Sequence, residues 1–145
     1  INTAMYKWCH TASPSYPGVW TDLWFLQTSQ SNSVMDIYAQ EFGLDPHTIA
    51  QTIFFPYFYN DTTIVSPWNS DWRWNKITIF TDIFDNDLSD FQREGTISHE
   101  MGHCFGLAHS TNPYVVMSQL DDPDDPTRLV NRPQVDDCNG INHLY

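Results

Sequence analysis

The sequence predicts a single α+β domain, and three observations carry the prediction. Ile1–Trp8 places Ile1, Ala4, Met5 and Trp8 at helical spacing. The middle of the chain holds segments rich in β-branched and aromatic residues. The clearest is Lys76–Phe84, where Ile77, Ile79 and Thr81 alternate with Thr78, Phe80 and Asp82. The last third returns twice to a helical pattern, over about Asp90–Phe105 and again from near Pro133. Strands followed by helices in a chain of 145 residues fit one hydrophobic core with segregated α and β elements.

Taken in order, Ile1–Trp8 reads as the end of a helix, and Pro14 and Pro17 break the loop after it. Val19–Thr28 has strand composition. Val34–Phe42 alternates and reads as a strand in preference to a short helix. Gly43–Pro46 turns the chain, and Thr48–Tyr59, interrupted by Pro56, reads as an edge strand. Asn60–Asn75 reads as a loop carrying Trp68, Trp72 and Trp74, which serve packing more often than substrate binding. Asn60-Asp61-Thr62 matches a glycosylation sequon, a common chance occurrence. After Lys76–Phe84 an acidic turn, Asp85–Asp90, leads into the next helix, for which Ser89 and Gln92 form a capping box. Gly95 inside that helix costs about 1 kcal/mol relative to alanine, which implies that something packs close there. Gly106 to Arg132 reads as a loop. The final helix, capped by Asn131, uses Val135, Cys138, Ile141 and Tyr145 as its buried face.

Composition narrows the function. The net charge of −12 comes from 18 acidic and 6 basic residues, and so acidic a surface repels phosphate backbones and disfavours nucleic acid. No run approaches the ~18 apolar residues of a membrane span, and Ile1 does not open a signal peptide, so either there is none or this is a mature chain. Asp121, Asp122, Asp124, Asp125, Asp136 and Asp137 fall close together; solvation explains them better than a divalent cation does. Three cysteines permit one disulfide and one free thiol. The helical phase of Cys104 groups it with Ile97, Met101 and Phe105, as a core residue and not a ligand.

The chemistry lies in Ile97–Met117, which contains H-E-x-x-H-x-x-G-x-x-H at His99, Glu100, His103, Gly106 and His109. Residues four apart on a helix project about 40° from one another, so His99 and His103 can hold one metal. Glu100, about 100° from His99, reaches the side where a bound water sits. Gly106 ends the helix, since a residue without Cβ takes the left-handed turn that brings His109 back as third ligand. Three neutral imidazoles leave one of four zinc positions open for water, the arrangement of a catalytic site.

This stretch, H-E-M-G-H-C-F-G-L-A-H-S-T-N-P with Met117 eight residues past the third histidine, resembles the matrixin branch of the metzincin zinc peptidases. Ser110 is the matrixin-like residue after that histidine, and D-D-C-N-G-I-N-H-L-Y, 136–145, resembles the matrixin C-terminal helix. The resemblance implies a metzincin fold: a twisted, mostly parallel sheet with an antiparallel edge strand, an active-site helix and a C-terminal helix. It implies a cleft between an upper subdomain of about 1–106 and a lower one of about 107–145. It makes Met117 a hydrophobic floor beneath one zinc ion, braces that floor with Asp136 and Asp137, and makes residues 118 to about 132 a pocket wall. A peptide or protein substrate would lie extended along the edge strand, and the setting would be secreted. Matrixins begin with a strand before the first long helix, whereas this sequence starts inside that helix, so the strand is missing, relocated or lost with an upstream piece; the family's glycine-rich calcium loops are also absent. Asp82 and Asp85 lie where calcium ligands occur in the family, which leaves Ca2+ as a second possible ion. His10, His47 and His143 lack the spacing for a second zinc, and the zinc-blocking prosegment is not in this sequence.

The implied reaction is endopeptidase hydrolysis by glutamate-assisted attack of zinc-bound water, with Glu100 as general base and then acid. Tyr114 reads as loop packing and not as a helper. The alternative is a catalytically silent zinc-binding module that holds a peptide or protein partner; Glu100 argues against it, as Gly106 and His109 argue against a thermolysin-type site. A protease selective for one partner fits the same residues.

Overall fold

A computed structural model describes residues 1–12, 18–41, 43, 47–57, 62–119 and 128–145. Its elements are α1 (Asn2–Cys9), β1 (Met35–Gln40), β2 (Ala50–Phe55), β3 (Trp74–Phe80), α2 (Thr81–Asn86), α3 (Asp90–Cys104) and α4 (Val135–Leu144). They group into two compact units, Ile1–Phe25 with Asp87–Tyr145, and Leu26–Asn86.

Leu26–Asn86 is built on a mixed sheet of order β1-β3-β2. β3 is central, parallel to β1 and antiparallel to β2, with Ile77 facing Ile37 on one side and Thr52 on the other. β3 has a strand on each edge, and residues on both of its faces are buried: Ile77 and Ile79 on one, Trp74 and Phe80 on the other. The expected antiparallel edge strand is β2, which ends before Pro56; its outer edge is bridged at Phe54, whose carbonyl accepts the Val65 N–H at 3.0 Å. Trp74 belongs to β3 and not to the preceding loop, and its indole donates to Asp36 at 2.8 Å. Trp72 packs edge-on against Phe54, whereas Trp68 is exposed.

Two strand expectations are corrected. Lys76–Phe84 does not stay extended, because the last β1 partner is Gln40, opposite Phe80; with no ladder left, the backbone satisfies itself as α2. Val19–Thr28 forms no ladder among the described residues. Its polar groups are met singly: Asn142 Nδ2 donates to Trp20 O at 2.9 Å, and Thr21 donates to Trp8 O. Thr21 is buried while Trp20 and Trp24 are exposed, so strand composition marked a partly buried segment without a partner strand among the described residues.

The other unit packs α1 against α3. Trp8 is wholly buried; its indole donates to Ser98 O at 3.0 Å and meets the Phe105 ring edge-on at 5.2 Å. Lys7 pairs with Glu94, whose carboxylate also accepts from Asn131 at 2.9 Å. That contact uses the side chain expected to cap α4. The helix starts instead after Gln134, whose N–H donates to Asp137 at 2.7 Å. The buried face of α4 is Asp137, Cys138 and Ile141; Val135 and Tyr145 are exposed, and the Tyr145 hydroxyl donates to Phe105 O. Cys9, Cys104 and Cys138 form no disulfide, and burial pushes Cys138 up to about 11, so it stays protonated at neutral pH.

Candidate metal centre

α3 begins as its sequence dictates. Gln92 N–H donates to the Ser89 hydroxyl, and the Gln92 side chain accepts the Ser89 N–H at 2.8 Å. From that fixed start, about two and a half to four turns along the helix, His99, Glu100 and His103 take buried or half-buried positions. Gly95, one turn before His99, does face a close neighbour: a Cβ there would lie 2.9 Å from Arg128 Cδ and 3.1 Å from Val130 O.

The helix closes on Gly106, with φ of 93°. The Gly106 N–H donates to His103 O at 2.8 Å and the Leu107 N–H to Gly102 O at 3.0 Å, the paired bonds of a Schellman turn. The reversed chain delivers His109. Ser110 N–H then donates to Met117 O at 2.8 Å and Gln119 N–H to Ser110 O at 3.3 Å, so the segment carrying His109 is tied to the segment carrying Met117.

Three imidazoles converge. His103 Nε2 lies 3.1 Å from His99 Nε2 and 3.1 Å from His109 Nε2. Three nitrogens at such separations surround a point about 2 Å from each, the length of a zinc–imidazole bond. Two of the other nitrogens face carbonyls: His99 Nδ1 lies 2.8 Å from Val116 O and His103 Nδ1 lies 2.8 Å from Leu107 O. A carbonyl accepts only a proton, so these contacts draw the protons to Nδ1 and leave the Nε2 lone pairs for a metal. Burial, the largest cause, lowers the pKa of all three histidines below 6.5, and the positive charge of Arg128 adds to it. The trio is therefore neutral at neutral pH, which is the form that binds metal. The donor set fits zinc on geometry and protonation alike.

The turn at 115–117 meets His99 through Val116 O, and Val115, Val116 and Met117 are buried. Met117 packs on α3 so closely that a Cβ at Gly102 would lie 2.2 Å from its sulfur. Asp137 holds this turn: its carboxylate accepts Val116 N–H at 3.0 Å and Met117 N–H at 3.1 Å, whereas Asp136 is exposed. Glu100 is buried, and its negative charge acts on both His109 and Arg128.

Some site residues were missed by sequence reasoning. Arg128 donates to Val116 O at 3.2 Å and Ser118 O at 3.1 Å, and Leu107 supplies a carbonyl to His103. A lone arginine in a polar loop gives no signal of either contact. Among the described residues the grouping of three or more candidate ligands is the histidine trio; Asp82 and Asp85 sit on α2. The acidic run 121–125, most of the 118–132 wall and the first two sequon residues lie outside the described residues. No helix among them is long and apolar enough to cross a membrane.

A protein-family model described as Matrixin, of peptidase family M10, matches residues 24–145. No curated protein matches the chain.

Proposed function

The chain belongs to the matrixin family of zinc metallopeptidases, with an α+β metzincin fold, and from that premise we propose that it is an endopeptidase using Glu100 as its general base. The observation that carries the reading is the convergence of three imidazole Nε2 atoms, two from α3 and one from the chain after its glycine stop, with Glu100 buried on α3. His99, His103 and His109 would hold one zinc ion, which when bound supplies a Lewis acid that acidifies water and polarises a scissile carbonyl. Glu100 accepts the proton of the attacking water and passes it to the leaving amine. Burial shields that proton transfer from competing solvent. The substrate in this reading is an extended peptide or protein segment that adds to a sheet edge, for which β2 is the candidate. An extracellular setting belongs to the same proposal and rests on the family alone.

The test compares wild type with Glu100→Ala on a diverse peptide library and on candidate protein substrates, with and without a chelator, beside metal analysis. One zinc per chain in both proteins, with chelator-sensitive cleavage by wild type alone, is the expected result. A zinc-loaded wild type that cleaves nothing the variant spares would replace this reading with the silent zinc-binding module.

A further inference from the structure

We propose that Arg128 is a positioning residue of the metal centre, fixing the backbone carbonyl to which the His99 ring is anchored. The inference rests on the zinc reading of the histidines and does not require that the chain be a peptidase.

Val116 O receives two donors. One is His99 Nδ1 at 2.8 Å; the other is Arg128 Nη1 at 3.2 Å. The same Nη1 reaches Ser118 O at 3.1 Å, so one guanidinium nitrogen spans the carbonyls on either side of Met117. On the N–H side, Asp137 takes Val116 and Met117. The turn is thus gripped from both directions, by a carboxylate on its donors and a cation on its acceptors. A peptide unit held at both its N–H and C=O ends cannot rotate, and the imidazole hinged on it cannot turn its Nε2 away from the other two rings.

Two further observations separate this role from simple space filling. Gly95 makes the room: a Cβ at that position would lie 2.9 Å from Arg128 Cδ, so α3 is cut back where the arginine stem passes. The guanidinium is also an expensive filler. Burial pushes it down to about 10, and its Nε–H has no acceptor among the described residues. An apolar side chain of similar length would fill the same volume without burying a charge. What it would not do is hold Val116 O and Ser118 O.

The test uses Arg128→Met and Arg128→Lys in the whole chain. Zinc affinity is measured by competition with a chromophoric chelator, and melting temperature is measured with and without zinc. Loss of an outer contact to a metal ligand weakens binding typically 10–100-fold. That loss is expected for Arg128→Met, and for Arg128→Lys too, since the ammonium is one bond shorter and cannot reach both carbonyls. The lysine variant keeps the charge, and it carries the test if the methionine variant fails to fold. The zinc-induced rise in melting temperature should shrink in both. Affinity within about twofold of wild type would overturn the proposal. So would parallel falls in apo and zinc-loaded melting temperatures that leave the zinc-induced rise intact, the signature of a purely structural arginine. Wild type that takes up no zinc would sink the metal reading itself.

Discussion

Asp137→Asn isolates the grip on the turn that anchors His99 while keeping side-chain volume. In the native chain one carboxylate oxygen accepts Val116 N–H at 3.0 Å and Gln134 N–H at 2.7 Å, and the other accepts Met117 N–H at 3.1 Å. Asparagine has one acceptor oxygen. Its best rotamer keeps the pair at Val116 and Gln134 and turns its amide NH2 against Met117 N–H. One charge-assisted bond is lost, about 1.5–3 kcal/mol, and a buried N–H is left unmet, about 1–3 kcal/mol. Part of this is offset, because burial raises the Asp137 pKa and the ionised form therefore carries a desolvation cost that the amide lacks. The net expectation is a loss of roughly 2–4 kcal/mol, or about 5–15 °C in melting temperature. The sign of the pH dependence follows. A carboxyl with a raised folded pKa contributes stability present below its unfolded pKa and lost as pH rises through the folded value, so the penalty of the variant is larger at acidic pH. Urea unfolding of the apo-protein at two pH values measures both quantities, with Asp136→Asn as an exposed control expected within about ±0.5 kcal/mol. If Asp137→Asn unfolds at the same urea concentration as the control, the carboxylate is not what holds the turn.

Gly106→Ala forces a Cβ into a backbone at φ 93° and should cost about 1–2 kcal/mol in urea unfolding, with zinc affinity falling because His109 is delivered by that turn; unchanged zinc binding would separate the turn from the site. Gly102→Ala places a Cβ 2.2 Å from Met117 Sδ, so the floor must shift; about 1–3 kcal/mol of overpacking is expected, and an unchanged melting temperature would refute the packing. The pKa of each of the three histidines is lowered, first by burial, so their contribution to apo-protein stability is full above about pH 6.5 and is lost as pH falls through the folded values. Melting temperatures of apo-protein from pH 8 to pH 5 should therefore decline, zinc should be released over the same range, and a flat profile would contradict neutral histidines.

What could be read from the sequence is what short-range geometry dictates. His99 and His103 share a face because a helix repeats every 3.6 residues, and Gly106 must reverse the chain because few other residues take φ near 93°. The capping box at Ser89 and Gln92 is complete within four residues. The misreadings share a different cause. Val19–Thr28 has strand composition, but a strand exists only if another pairs with it, and no local pattern reports that. α2 begins where the partners of β3 run out, a fact about Gln40 and not about Thr81. Asp137 was placed on the brace by resemblance but left off the buried face by periodicity, since hydrophobic spacing cannot register a carboxylate whose burial is compensated by three backbone N–H groups.

This division explains how the site is built. The ligands lie within eleven residues, His99 to His109, so any helix with a glycine stop could bring them near one another. Nearness is not enough. Each imidazole must present Nε2 and not Nδ1, and that choice is made by an acceptor on the far side of the ring. For His103 the acceptor is Leu107 O, four residues away and inside the same turn, so the motif supplies its own orientation. For His99 the acceptor is Val116 O, 17 residues away, and Val116 is held by Asp137, 21 residues further along, and by Arg128. The first histidine of the motif is thus the one most dependent on the rest of the chain. It is also the most deeply buried of the three, where an unmet ring nitrogen costs most. The cost of misorienting His99 falls on residues no zinc motif includes, and the turn at Met117 is where those residues meet.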